Sequence, residues 1–235
     1  SELTPRAIAT EKNRLSEGFR YVAGRSDLLM VFGMVFIIGA FGMNFPILAS
    51  TMALEFGQGA DGFGLLNSVL AIGSLAGALL AARRSEARIR VIIWGAGLFA
   101  VAALVSACMP SYWLYAATLM FTGLSVVTML TTANAVVQTT TAPALRGRVL
   151  ALYMAVMMGG TPIGAPIVGW VADQWGPRVA ILVGAVAAGI AFFEKRGELF
   201  VKVGGESGSA TAMALPSGGG HRIALDPPVD VHLLL

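Results

Sequence analysis

Residues 149–172 read VLALYMAVMMGGTPIGAPIVGWVA, with no Asp, Glu, Lys, Arg or His anywhere in the run. A helix needs about 20 apolar residues to cross the hydrocarbon core of a bilayer, and this block exceeds that length. Gly160 and Gly164 form G-x-x-x-G, a spacing that lets another helix approach the backbone closely. Pro162 and Pro166 each remove a backbone donor and loosen the helix. A break at membrane depth is tolerated only where protein or water satisfies the freed carbonyls. The block therefore reads as a membrane-spanning helix inside a bundle, either a hinge or a static kink, with Gly169 continuing its small-residue character.

Five further apolar blocks lie at residues 28–52, 62–82, 90–109, 112–138 and 178–193. The only charged residues in them are Arg90 and Arg178, each the first residue of its block. Composition agrees: 56% of residues are hydrophobic and 12% charged, against roughly 25% charged in soluble domains, and the mean hydropathy is +0.76. The expected fold is an all-α membrane protein with six transmembrane helices, and the first partner is the lipid bilayer. Asp27, Asp61 and Ser111 suit helix N-caps, Pro177 suits the first turn of the last helix, and Pro110 separates the third from the fourth.

Three regions follow. Residues 1–27 form a linker with no signal-peptide pattern, residues 28–193 the transmembrane domain, and residues 194–235 a Gly-, Ser- and Pro-rich tail expected to be disordered. Within the linker, Leu15, Phe19 and Val22 recur at helical spacing among Arg14, Arg20 and Arg25, as in an amphipathic helix on a membrane surface; an ordinary solvated linker is the alternative. Lys and Arg concentrate in the linker, in the turn holding Arg83, Arg84, Arg88 and Arg90, and in the turn holding Arg146 and Arg148. The positive-inside rule then puts both termini in the cytoplasm, and the inner, plasma membrane is the expected location. Trp113, Trp170 and Trp175 fall near the opposite ends of their helices, where amphipathic rings sit at the interface.

The net charge of +3 is spread over short connections without interleaved aromatics, so nucleic acid is not an expected partner. Cys108 is the single cysteine and His221 has no companion ligands, so neither a disulfide framework nor a metal site is expected, and no cofactor is called for. A span interior without ionisable groups offers no acid, base or nucleophile, which argues against an enzyme. What remains is polar and small. Asn44, Asn67 and Ser68, Thr131 and Thr132, Asn134 and Gln138 are the polar positions. They either line an aqueous cavity or hydrogen-bond across helices as packing glue. Gly73 and Gly77 form a second G-x-x-x-G, making the second and fifth helices interface helices.

With these segments in view, residues 17–193 resemble the C-terminal six helices of the major facilitator superfamily, notably its bacterial drug and siderophore exporters of the enterobactin type. The segments that carry the resemblance are EGFRYV before the first span, GALLAARR closing the second, PALRGRV between fourth and fifth, and GTPIGAP running into GWVADQWGPR. Gly160, Gly164, Pro166 and Gly169 are similar to that family's antiporter motif, from which Ala165 and Trp170 depart. Gly169, Asp173, Gly176 and Arg178 resemble its loop signature, and Arg146 and Arg148 its basic cytoplasmic turn.

The resemblance implies half of a twelve-helix fold, with a substrate cavity between two rocking halves. It further implies a small amphipathic substrate and an N-terminal six-helix half, or a second copy of this chain, as partner. The first and fourth spans would line the cavity, with Asn44, Asn67, Thr131, Asn134 and Gln138 as candidates. The second and fifth would pack across the two halves through Gly73, Gly77, Gly160, Pro162, Gly164, Pro166 and Gly169. A truncated or split half that transports nothing, or a membrane interaction subunit, is the alternative.

Overall fold

The computed structural model describes the backbone of residues 11–84 and 86–212, and side chains over 16–84 and 86–194. Among the described residues every regular element is helical: α1 (Glu11–Ala23), α2 (Ser26–Ile37), a π-helical turn (Ile38–Gly42), α3 (Phe45–Glu55), α4 (Ala60–Ala82), α5 (Ile89–Ala107), α6 (Tyr112–Thr140), α7 (Arg146–Trp175) and α8 (Pro177–Ala212). Six segments are long and apolar enough to cross a membrane: Ser26–Glu55, Ala60–Ala82, Ile89–Ala107, Tyr112–Thr140, Arg146–Trp175 and Pro177–Glu194. They coincide with the six apolar blocks, because backbone groups in hydrocarbon must be satisfied within the segment and helix is the conformation that does so.

The chain divides into two compact units, Ser1–Gly197 and Glu198–Leu235. In the second, the described backbone is the end of α8, through Ala212. Helix there differs from the irregular tail expected from residue 194 onward. The segment EKRGELF at 194–200 consists largely of good helix formers, whereas the Gly-Pro clusters that suggested disorder, and His221, fall in 213–235, outside the described residues.

Local chemistry accounts for the helix ends. Ser111 holds the N-cap position of α6, in extended backbone at φ −132° and ψ 152°, without a capping bond from its hydroxyl. Asp27 and Asp61 are not caps: Arg25 and Gly59 hold those positions, and both aspartates lie in the first turn. Their carboxylates complement the positive end of the helix dipole there. Gly176 ends α7 at φ 88°, a left-handed conformation that L side chains rarely adopt, and its N–H donates to the Ala172 carbonyl at 2.9 Å. One such residue reverses the chain, and Pro177 starts α8 at once.

The break in the bundle is in the first span, not the fifth. α7 runs unbroken through Pro162 and Pro166. The first span instead opens into the π turn, where the Met43 N–H reaches five residues back to the Ile38 carbonyl at 3.0 Å. It resumes as α3, with Pro46 in the first turn where no donor is needed. π turns of this kind occur frequently at functional positions. The segment GAFGMNFP was the available signal, since Gly39, Gly42 and Pro46 fall within eight residues.

α6 is the hub, packing along α4 on one side and α5 on the other, while α7 packs chiefly on the π turn. Tyr115, Leu119 and Met129 of α6 are fully buried among these neighbours. α1 does form a helix, but it packs on α7 and α2, with Gly18 and Val22 buried and Phe19 exposed. The side chain of Leu15 lies outside the described ones.

Candidate functional site

Thr131, Asn134 and Gln138 fall at helical spacing on one face of α6. The Thr131 hydroxyl donates back into its own helix, to the Val127 carbonyl at 2.7 Å with the Thr128 carbonyl at 3.1 Å. Gln138 Nε2 donates to Asn134 Oδ1, so the two amides act as a pair. Thr131 borders hollows on both sides of α6. One, of about 410 Å³, lies between α4 and α6 beside Ala78, Ala82, Thr132, Ala135 and Arg84. The other, of about 270 Å³, lies between α6 and α7 and is lined by Leu130, Thr131, Asn134, Tyr153, Met154 and Met157.

Sequence explains both hollows. Alanines on facing turns of α4 and α6 fill little space, and the Tyr153 hydroxyl, donating to the Leu130 carbonyl at 2.9 Å, fixes α7 against α6 and floors the smaller hollow. Amides, hydroxyls and thioethers line these walls, with Arg84 and Glu86 at the edge of the larger one. Such a surface holds a polar or amphipathic molecule by hydrogen bonds and soft apolar contact. It offers no nucleophile paired with a base.

Three expected cavity residues line neither hollow: Gln138, which reaches Asn134 one turn away, and the asparagines Asn44 and Asn67. Asn44 is 1% exposed, and its Nδ2 donates to the Ala40 carbonyl at 2.5 Å and, at the long limit, to the Thr161 carbonyl at 3.5 Å. Thr161 returns the connection, donating from its hydroxyl to the Gly39 carbonyl at 3.3 Å. Asn44 thus ties the π turn to α7. Asn67 donates within its own helix, to the Phe63 carbonyl at 3.1 Å, and Ser68 does the same to Gly64 at 2.9 Å. Neither asparagine borders a hollow described above.

The glycine pairs meet partners inside this bundle. A Cβ on Gly73 would overlap the Met120 carbonyl, and one on Gly77 would stand 2.6 Å from the Leu124 carbonyl, so α6 is their partner. Gly123 of α6 answers from the other side, with a Cβ there overlapping the Leu70 carbonyl. A Cβ on Gly164 would overlap the Ala40 carbonyl, and one on Gly160 would lie 2.8 Å from the Ala40 nitrogen. At Gly73, Gly77, Gly160 and Gly164 the close contacts expected with another half are therefore made within this one, because the backbones of α6 and of the π turn approach these glycines here. Pro162 and Pro166 are exposed, and nothing lies within 4 Å of a Cβ built on half-buried Gly169. The uncovered surfaces of α4 and α7 are apolar instead: Leu65, Ile72, Leu75 and Leu79, and Met158, Ile163 and Ile167.

Arg146 is exposed as the first residue of α7, whereas Arg148 pairs with Glu17 of α1. Long-range arginine knots at Arg25 and Arg178 escaped the sequence reading. Their partners are carbonyls and carboxylates up to 123 residues away, and no local pattern marks them.

No curated protein matches this chain as a relative. The family model described as Major Facilitator Superfamily matches residues 30–208, well over half of the chain and all six apolar spans but the first few residues of the first. With six membrane-spanning helices and this match, the chain belongs to the major facilitator superfamily of membrane transporters.

Proposed function

We propose that the protein moves a small amphipathic compound, of the drug or siderophore class, out of the cell by alternating access. The observation that carries this reading is the polar face of α6, where Thr131 borders hollows on both sides of the helix and Asn134, paired with Gln138, lines the smaller one. Export, and not merely transport, rests on the resemblance to drug and siderophore exporters. The arginine-rich end, with α1 and the α4–α5 and α6–α7 turns, is then cytoplasmic, in the plasma membrane.

A six-helix N-terminal half is the proposed partner, or a second copy of this chain. Supporting this, the second and fifth spans are the least covered, 17% and 22% buried against 39–61% for the others. Their bare faces are apolar and suit lipid as well as a neighbouring bundle, so it is their low coverage that supports a partner.

The test uses the native polypeptide that carries this sequence, reconstituted in proteoliposomes with a panel of fluorescent amphipathic dyes and a catecholate siderophore. Asn134→Ala with Gln138→Ala should raise the half-saturating concentration about tenfold, as loss of one or two ligand hydrogen bonds does, with insertion unchanged. Unaltered kinetics would remove α6 from the substrate path.

One observation favours a second reading, a membrane interaction subunit. Away from their ends the described spans hold no Asp, Glu, Lys, Arg or His, the groups on which ion coupling usually rests. Stable co-purification with another membrane chain, and no transport by the reconstituted complex, would favour it.

A further inference from the structure

Arg25, between α1 and α2, uses its guanidinium in three directions. Nε and Nη2 fork onto the Asp27 carboxylate at 3.2 and 2.5 Å, and Nη1 donates to the Tyr21 hydroxyl at 3.1 Å and to the Thr140 carbonyl at 2.8 Å. Thr140 is the last residue of α6. Its carbonyl is one of the four that a helix end leaves without an intrahelical donor, and a cation there also meets the negative end of the dipole. The Tyr21 oxygen in turn accepts from the Ala142 N–H at 3.4 Å, inside the α6–α7 turn. One turn earlier on α1, the Glu17 carboxylate accepts from Arg148, the third residue of α7. Beside it, a Cβ on Gly18 would stand 3.4 Å from the Arg148 Cβ, so the two backbones are already in contact.

Glu17, Tyr21 and Arg25 are four residues apart, hence on one face running from α1 into its junction with α2. That face is fastened to both sides of the α6–α7 turn, at residues 140, 142 and 148. The smaller hollow lies between the same two helices, and the Asn134–Gln138 pair ends two residues short of Thr140.

We infer that α1 is a strap and Arg25 its positioning residue: together they set how far α6 and α7 part at the arginine-rich end, and so control access to the α6–α7 hollow. This rests on the proposal that the hollow takes substrate, but the experiment below reads access alone. Any displacement of α1 is transmitted to the ends of α6 and α7 through the bonds from Arg25 to the Thr140 carbonyl and from Arg148 to Glu17, while the fork onto Asp27 fixes the orientation of the Arg25 guanidinium.

In the native polypeptide, with Cys108 and any cysteine outside this sequence replaced by Ser, Asn134→Cys gives a single reporter for a membrane-impermeant maleimide supplied on both sides. Arg25→Gln should accelerate labelling at position 134 about tenfold, the change expected when a charge-assisted hydrogen bond holding a closed state is lost. Arg25→Lys, a point charge that cannot fork, should fall between. Glu17→Arg and Arg148→Glu should each accelerate labelling, and the double swap should return it toward the parent. Exposed Cys108, at the opposite end, is the control in chains that retain it. Faster labelling at both ends, or no acceleration at 134 and no recovery in the double swap, overturns the strap. Failure of Asn134→Ala to alter transport would instead overturn the substrate reading and leave the strap standing.

Discussion

Arg178, the second residue of α8, donates from Nε to Glu55 Oε1 at 2.6 Å, across 123 residues of sequence. The same guanidinium donates from Nη1 to the Ala107 and Met109 carbonyls at 3.0 and 2.8 Å, and lies 5.5 Å from the centre of the Phe56 ring. One side chain therefore gathers three chain reversals, those joining α3 to α4, α5 to α6 and α7 to α8. Ala107 is the last residue of α5 and Met109 lies two residues beyond it, so the guanidinium satisfies one acceptor that the helix end leaves open and one in the turn that follows.

Arg178→Ala should lower the stability of the detergent-solubilised protein by about 1–3 kcal/mol, the usual worth of hydrogen bonds to a charged group, the ion pair itself adding little because both partners are about one-third exposed. Arg178→Lys should recover part of it. Thermal unfolding followed by circular dichroism checks both; an unshifted midpoint in Arg178→Ala would show that the three reversals hold without it.

Gly164→Ala should push α7 off the π turn, since the added Cβ meets the Ala40 carbonyl; overpacking of this sort costs about 1–3 kcal/mol. Gly164→Leu should abolish transport while the chain still inserts. Gly159→Ala, five residues earlier where nothing lies within 4 Å, should be neutral or slightly stabilising through helix propensity. Equal midpoints for the alanine variants would contradict the close approach.

Asn44→Ala and Asn134→Ala should separate packing from cavity. The first removes the buried donor that ties the π turn to α7 and should lower stability by about 1–3 kcal/mol with little change in half-saturation. The second should do the reverse. A substrate-affinity defect in Asn44→Ala without loss of stability would return Asn44 to the cavity.

Tyr115→Phe should leave stability unchanged or raise it. The Tyr115 hydroxyl is fully buried and has no hydrogen-bond partner among the described residues, and an unsatisfied buried hydroxyl costs about 1–3 kcal/mol. A clearly lower melting midpoint would reveal a partner.

Tyr21 should titrate early. The hydrogen bond from Arg25, then that from the Ala142 N–H, holds its phenol below the ordinary value. A folded-state pKa below the unfolded one favours the phenolate in the fold. That stabilisation is fully present above pH about 10 and is lost as pH falls through the folded pKa. Difference absorbance between the parent and Tyr21→Phe should show the phenolate midpoint moving up in Arg25→Gln; an unmoved midpoint would separate Tyr21 from the guanidinium.

The six spans were legible in the residues alone, to within a few positions, because hydrocarbon leaves a backbone no option but helix once about 20 apolar residues are in sequence. Thr131, Asn134 and Gln138 were legible as one group because helical periodicity places them on one face. Asn44 and Asn67 were not separable from them: an amide in a span has the same letter whether it faces a hollow or a neighbouring carbonyl.

The G-x-x-x-G pairs announced close approach but not the partner, since a missing side chain marks only one surface of a contact. That Gly73 meets Met120 and Gly164 meets Ala40 was decided by how six helices pack. The same is true of the π turn, which α7 supports through Thr161, and of the Arg25 and Arg178 knots. Each joins groups more than 100 residues apart, and two of Arg178's acceptors are backbone carbonyls, which every residue carries. Composition and periodicity determine what enters the membrane and as which element; only the folded bundle determines which of those elements touch.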